Sequence, residues 1–259
     1  MITAKKSLGQ NFLTDRSVLK TIITTANLTP KDIVLEIGPG EGFLTTALLE
    51  TGVRVLAVEK DDRLIGVLNK KFAEAIKKNQ LELIHNDILN FDFYSRITKL
   101  QASNYKLVAN IPYYLTGQII RHFLTVENQP TSMTLMLQKE VAKRIIDPEK
   151  ESLLSISVKC YGTPHYIRTV PRGAFQPVPG VDSAILQIDN INRERFREIS
   201  EKEFFALLHL GFDQKRKILR SKLGLALAVF KSCDINSNIR AEDLKLNHWF
   251  CLARQNKNK

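Results

Sequence analysis

The sequence predicts an α/β protein: a seven-stranded, mostly parallel sheet with its last strand antiparallel, followed by a small all-helical C-terminal domain. Three observations carry that prediction. From Ile33 to about Asp189, short β-branched runs alternate with amphipathic stretches, the pattern of strands joined by crossover helices. The last two strand candidates are separated only by the Pro/Gly-rich stretch from Pro171 to Gly180, too short for a parallel crossover, so they are expected as antiparallel neighbours. Beyond Asp189 the apolar residues recur at helical spacing, as at Phe204, Phe205, Leu207 and Leu208, with no clear strand. The expected division is 1–190 for the sheet domain and 191–259 for the helical one.

Taken in order, the strand candidates are Ile33–Ile37, Arg54–Glu59, Leu81–His85, Tyr105–Ala109, Thr131–Gln138, His165–Val170 and Ser183–Ile188. Most are short runs of β-branched and aliphatic residues, the composition expected of strands. A helix is expected to start near Phe43, directly after a glycine turn. The charge-dense stretch from Asn192 to Lys202 marks the passage into the tail, where Trp249, the one tryptophan, is expected as a packing anchor. The polar end from Gln255 to Lys259 is expected to fray.

The 259 residues suit one large or two modest domains, and 44% hydrophobic with 25% charged residues excludes wholesale disorder. Lys and Arg number 38 against 27 Asp and Glu, a net charge of +11 that favours a polyanionic partner. Charge alone does not separate nucleic acid from an anionic membrane surface. Cys160, Cys233 and Cys251 are few, odd in number and far apart, with no C-x-x-C pair. They are expected to be reduced thiols, without a disulfide or structural zinc. The five histidines show no ligand spacing, so no metal is expected. Met1 to Leu13 lacks the apolar run of a signal peptide, and no apolar stretch is long enough to span a bilayer. The expectation is a cytoplasmic protein with no membrane association.

The turn Glu36-Ile37-Gly38-Pro39-Gly40-Glu41-Gly42 follows the first strong strand. Glycines there let a ligand approach the backbone closely, because a Cβ would occupy the ligand's space. Phe43 stands where the dinucleotide fingerprint needs glycine, and the Lys-Ser/Thr of a phosphate loop is absent, so both of those readings weaken. A bare strand-to-helix turn is the alternative. Glu59 closes the second strand, where a carboxylate can accept bonds from both ribose hydroxyls; a solvated strand end paired with Lys60 is its alternative. Asp87, just beyond the third strand, can accept an adenine's amine or simply cap a turn. Together the two acids beside the glycine turn favour an adenosine-containing cofactor.

The fourth strand runs into Asn110-Ile111-Pro112-Tyr113-Tyr114 at the same edge of the sheet. The Asn110 carboxamide oxygen and a backbone carbonyl held by Pro112 can accept the two hydrogens of a planar amine, while Tyr113 offers a face to an extruded base. The lone pair of adenine's amine is delocalised into its ring. Two acceptors that pull its hydrogens out of plane localise that pair toward an electrophilic methyl. Asn110 is then an orienter, not a strong base. A loop in which Pro112 ends the strand and the tyrosines pack is the alternative.

Four blocks, Lys5 to Leu13, Leu35 to Gly42, Asn110 to Tyr113 and Phe175 to Ser183, together resemble the ribosomal RNA adenine-N6 dimethyltransferase family over almost the whole chain. The resemblance implies a Rossmann-like S-adenosylmethionine methyltransferase sheet and transfer of two methyl groups to N6 of adenine. It places Asn11, Leu13, Gly38 with Gly40, Glu59, Asp87 and Asn110 around the cofactor. Catalysis falls to Asn110, Pro112, Tyr113 and Phe175, with Tyr113 and Phe175 sandwiching the target base. Leu8-Gly9-Gln10-Asn11-Phe12-Leu13 and Gly38-Pro39-Gly40 are more similar to the small-subunit (KsgA) branch than to the Erm resistance methylases, and the tail points the same way. The implied substrate is two adjacent adenines in the hairpin near the 3′ end of 16S ribosomal RNA. The implied partner is a 30S assembly intermediate, approached by a monomer.

One stretch departs from the small-subunit pattern: Asp147 to Ser155 lacks that branch's Gly-Ser-Lys and Tyr-Gly. Basic clusters at Lys139, Lys143, Arg144 and at Lys215, Arg216, Lys217, Arg220, Lys222 are expected to face RNA. Three other readings stay open at this stage. They are an Erm-type large-subunit target, a non-catalytic clamp on small-subunit RNA, and a methyltransferase for a small aromatic amine.

Overall fold

Runs such as Ile33–Ile37, apolar at nearly every position, leave no polar face for solvent and pair inside the sheet with both faces covered. The computed structural model describes residues 3–5, 8–91, 96, 104–213 and 217–257. In chain order its strands are β1 (Phe12–Leu13), β2 (Ile33–Ile37), β3 (Arg54–Glu59), β4 (Leu81–His85), β5 (Lys106–Asn110), β6 (Ser132–Gln138), β7 (Thr163–Val170), β8 (Phe175–Gln176) and β9 (Ser183–Asp189). Seven form one sheet in the order β4-β3-β2-β5-β6-β9-β7. Neighbours from β4 to β6 run parallel, and β9 pairs antiparallel with β6. Every strand expected from the sequence is present, with ends shifted by no more than two residues.

The order reverses at β2. The chain lays down β3 and β4 on one side, then returns to place β5 on the other. In open α/β sheets this switch point opens a crevice at the carboxyl ends of the central strands. Helix α1 (Arg16–Ala26) is capped by Asp15, whose carboxylate accepts from the Ser17 and Val18 amides, and it buries Val18, Ile22 and Ala26. Helices α2 (Phe43–Glu50) and α3 (Asp62–Lys71) add Leu44, Leu48, Leu64 and Leu68 to the same core as Val34, Val55 and Ala57.

A second, two-stranded sheet was not legible in the sequence. β1 pairs antiparallel with β8, Phe12 opposite Gln176 and Leu13 opposite Phe175, joining the first and last motif blocks. Within the first block, Lys6 and Ser7 lie outside the described residues.

The chain groups into two compact units, 1–142 with 164–191, and 143–163 with 192–259. They are not the halves 1–190 and 191–259, because the helix Leu153–Tyr161 brings Tyr161 into the tail's aromatic cluster with Phe196 and Phe205. In this unit Trp249 is fully buried and stacks on Phe212 at 5.6 Å. A Cβ on Gly211 would lie 2.3 Å from its ring, so only glycine fits there. The atypical stretch Asp147 to Ser155 docks within the same unit: Lys159 pairs with Glu151 at 2.8 Å, and Lys150 pairs with Asp243.

Two expectations fail in this unit. Cys233 and Cys251 form a disulfide, contrary to the expectation of reduced thiols, because folding brings the last helix, Leu246–Lys257, against residue 233. That helix also extends through Gln255 and Asn256, which were expected to fray; Asn258 and Lys259 lie outside the described residues. No helix among the described residues is long and apolar enough to cross a membrane.

Candidate active site at the carboxyl edge of the sheet

One cavity of about 450 Å³ opens at the carboxyl ends of β2 to β5, walled on its remaining side by residues 8–14. It gathers Asn11, Leu13, Gly38, Gly40, Glu59, Asp87, Asn110, Pro112 and Tyr113 from segments far apart in sequence. Phe175 is the expected site residue that does not line it. At 2% exposure its ring belongs to the core beside Leu13, so it offers no open face opposite Tyr113 in this conformation.

The glycine turn works by left-handed backbone at three positions, with φ of 66° at Gly38, 59° at Gly40 and 78° at Gly42. A Cβ on each would meet something different. At Gly38 it would meet nothing within 4 Å, consistent with a position where a ligand comes close to the backbone. At Gly40 it would press on the Phe12 ring at 3.0 Å, so this glycine makes room for the N-terminal segment. At Gly42 it would strike Phe72 at 2.5 Å, a packing constraint.

Glu36 was not singled out from the sequence, although a lone acid in a buried apolar strand was the available signal. It lines the cavity at 1% exposure, and neither carboxylate oxygen has a hydrogen-bond partner among the described residues. Burial pushes its carboxyl up to about 8.

Glu59 is buried, which removes the reading of a solvated strand end paired with Lys60. Its Oε2 accepts the Gly40 amide at 3.1 Å and its Oε1 the Asp61 amide at 2.8 Å. Burial raises its carboxyl above the ordinary value, against the pull of those amides. The carboxylate keeps acceptor capacity for a ligand beyond those amides. Lys60 pairs instead with Asp87 at 2.7 Å and holds that carboxyl below the usual range. Asp87 Oδ1 also accepts the Leu89 amide at 3.1 Å, so the residue caps its turn as well as lining the cavity.

Asn110 is the last residue of β5. Its Nδ2 donates to the Asn11 carbonyl at 3.0 Å, which fixes the carboxamide and leaves Oδ1 without a partner among the described residues. The Pro112 carbonyl accepts the Leu115 amide at 3.0 Å and keeps one lone pair. Tyr113 is half-buried, its hydroxyl 2.7 Å from Ser183 Oγ, and burial raises its pKa. That bond ties the segment to β9. Tyr114 is exposed and packs over Gly9.

The basic clusters are thinner than expected. Lys143 and Arg144 are exposed, whereas Lys139 Nζ lies 3.6 Å from Asp182. Lys217 and Arg220 are exposed, but Lys222 donates to the Gly211 carbonyl at 2.7 Å and burial lowers its pKa, which removes it from that face. Lys215 and Arg216 lie outside the described residues.

A switch-point crevice, a glycine turn with an open approach at Gly38 and acids on the next two strands define the class: an α/β methyltransferase. The particular family follows from comparison. The model of the family described as ribosomal RNA adenine dimethylase matches residues 1–255. A ribosomal RNA small subunit methyltransferase A of Dehalococcoides mccartyi is 40% identical over 259 residues, covering 96% of this chain and 87% of the relative. One from Clostridium botulinum is 41% identical over 221 residues, covering 84% and 78%. Among solved structures, a dimethyladenosine transferase from Plasmodium falciparum superposes with a TM-score of 0.79 at 25% identity, covering 95% of this chain and 98% of the other. The 23S rRNA methyltransferase ErmE superposes at 0.73 and 24% identity, covering 95% and 99%, a likeness of fold. The chain belongs to the ribosomal RNA adenine dimethylase family, and it is an enzyme, an rRNA adenine dimethyltransferase.

Proposed function

We propose that this chain uses S-adenosylmethionine to dimethylate N6 of two adjacent adenosines in the 3′-terminal hairpin of small-subunit ribosomal RNA. The observation that carries the reading is Asn110, held by Asn11 with its Oδ1 open, beside Tyr113 in the cavity that also contains the glycine turn. The small-subunit target is supported by the names of relatives near 40% identity. The likeness to ErmE is one of fold and favours no large-subunit target.

The residues present fit the cofactor. Gly38 leaves space for close approach, the Glu59 carboxylate keeps acceptor capacity for ribose hydroxyls, and Asp87 offers an acceptor to an exocyclic amine. Asn11 and Leu13 close the cavity from the N-terminal side. When bound, S-adenosylmethionine supplies an electrophilic methyl group on a sulfonium. Asn110 Oδ1 and the free lone pair of the Pro112 carbonyl accept the two hydrogens of the target amine and turn its lone pair out of the ring plane. Tyr113, clamped through Ser183, gives the extruded base a fixed face. Phe175 supports this arrangement from beneath, as the buried partner of Leu13 across β1 and β8. A 30S assembly intermediate in the cytoplasm is the partner that suits the +11 charge, and the helical unit, residues 143–163 with 192–259, forms the RNA-binding part.

The test is methyl transfer from labelled S-adenosylmethionine to small subunits lacking the modification, beside large subunits and a panel of small aromatic amines. Dimethyladenosine confined to small-subunit RNA is the expected result. Asn110→Ala is expected to lower kcat by about two orders of magnitude with binding of the particle unchanged. Tight, salt-sensitive binding without transfer would replace this reading with that of a clamp.

A further inference from the structure

Two residues beyond Glu59, Asp61 carries a fully buried carboxylate (0% exposed) that no step above uses. Part of its engagement is local, since Oδ1 accepts the Arg63 amide at 3.3 Å and caps α3. The rest exceeds a cap. Arg63 grips both oxygens, Nε to Oδ1 at 2.9 Å and Nη2 to Oδ2 at 2.6 Å, in a charge-assisted fork. Gln10 Nε2 donates to Oδ2 at 2.8 Å and Lys5 Nζ to Oδ1 at 3.3 Å. Gln10 Oε1 in turn accepts the Lys5 amide at 2.7 Å, and Arg63 Nη1 donates to the Thr3 carbonyl at 3.2 Å. Thr3, Lys5 and Gln10 are thus fastened, directly or through Arg63, to one buried carboxylate far along the chain.

The fastened segment is a wall of the cavity. Past Gln10 it places the Asn11 carbonyl on Asn110 Nδ2, lays Phe12 over Gly40 and enters the ladder with β8. From its backbone, Asp61 also donates to Glu59 Oε1 at 2.8 Å. One residue therefore touches both the segment and the acid assigned to the ribose.

We infer that Asp61 is a positioning residue for the cofactor site: its buried carboxylate clamps Thr3, Lys5 and Gln10 as a strap and so sets Asn11, Phe12 and Leu13 over the cavity. The inference rests on the cofactor reading proposed above. A charged clamp suits this stretch because a short irregular segment buries too little apolar surface to hold its own backbone in place. Short, charge-assisted bonds to a carboxylate that water does not reach supply the order instead.

The experiment compares the full chain with Asp61→Asn, Gln10→Ala and the double variant. Titration with S-adenosylmethionine, steady-state methyl transfer and amide hydrogen exchange are measured on each. Asp61→Asn is expected to raise Kd and KM for S-adenosylmethionine about tenfold, with kcat at saturation within about threefold of the parent. Exchange at the Leu8, Gln10 and Thr14 amides quickens while β2 to β5 exchange as before. Gln10→Ala moves the same readouts less, and the double variant falls short of the sum of the two single effects, because the Gln10–Asp61 bond is shared between them. Parental affinity despite a fast-exchanging strap would overturn the positioning role, and an unchanged strap would overturn the clamp. If Asp61→Asn loses protection across the sheet, Gln10→Ala, which leaves the Arg63 fork intact, decides between those outcomes. Failure of the parent chain to bind S-adenosylmethionine is a failure of the cofactor reading, seen in the titration alone; hydrogen exchange then still decides whether Asp61 holds the strap.

Discussion

Glu36 sets the sharpest expectation at the scale of single residues. Its folded-state carboxyl titrates near 8, above the ordinary value of 4.5, so between those values the folded chain holds a proton that the unfolded chain has released. Stability from this group is therefore complete below about pH 4.5 and is lost progressively as pH rises toward 8. Glu36→Gln removes that loss. It is expected to leave the urea midpoint near pH 5 almost unchanged and to stabilise the ligand-free protein by ~2–4 kcal/mol at pH 8.5. A flat difference between the two proteins across that range would show that the buried acid does not titrate there. Residue types alone marked Asn110, Glu59 and Asp87, because their chemistry is scarce at strand ends. They could not mark Glu36 or Asp61, whose importance comes from burial and from partners outside their own neighbourhoods.

Among elements, the glycine turn separates two kinds of requirement that look alike in sequence. Gly42→Ala combines a left-handed backbone with a contact 2.5 Å from Phe72. Loss of about 2–4 kcal/mol in denaturant unfolding is expected. Gly38→Ala carries the same backbone strain but meets open space, so about 1 kcal/mol is lost. Its added methyl points into the cavity, and S-adenosylmethionine affinity is expected to fall by about tenfold or more, as calorimetry would read. The strands and the helix after the turn were legible because each is specified by its own apolar pattern. The pairing of β1 with β8 was not, since two-residue strands carry no periodicity and depend on a partner 162 residues away in the Phe12–Leu13 to Phe175–Gln176 ladder, reckoned from Leu13 to Phe175.

Over the whole molecule, the net charge of +11 sets the expectation for association. If the +11 excess serves RNA, binding to small subunits should weaken linearly in log K against log salt, by about 0.7 to 0.9 per phosphate contact. Charge reversal at Lys217 and Arg220 should flatten that slope while leaving S-adenosylmethionine affinity alone; an unchanged slope would remove this face from the RNA interface. The sequence by itself determined the sheet, its antiparallel last strand, the helical tail, the sign of the partner's charge and most of the cavity's residues. These follow from local pattern, from composition and from four motif blocks whose order is itself informative. Only the tertiary structure decided that Phe175 is buried, that Gly40 makes room for Phe12, that Cys233 meets Cys251 and that residues 143–163 group with the tail. It alone decided, too, that Asp61 gathers the N-terminal segment. The physical reason is common to all of them: each depends on a contact between segments distant in the chain, and such contacts are selected by packing of the whole core rather than by any local preference.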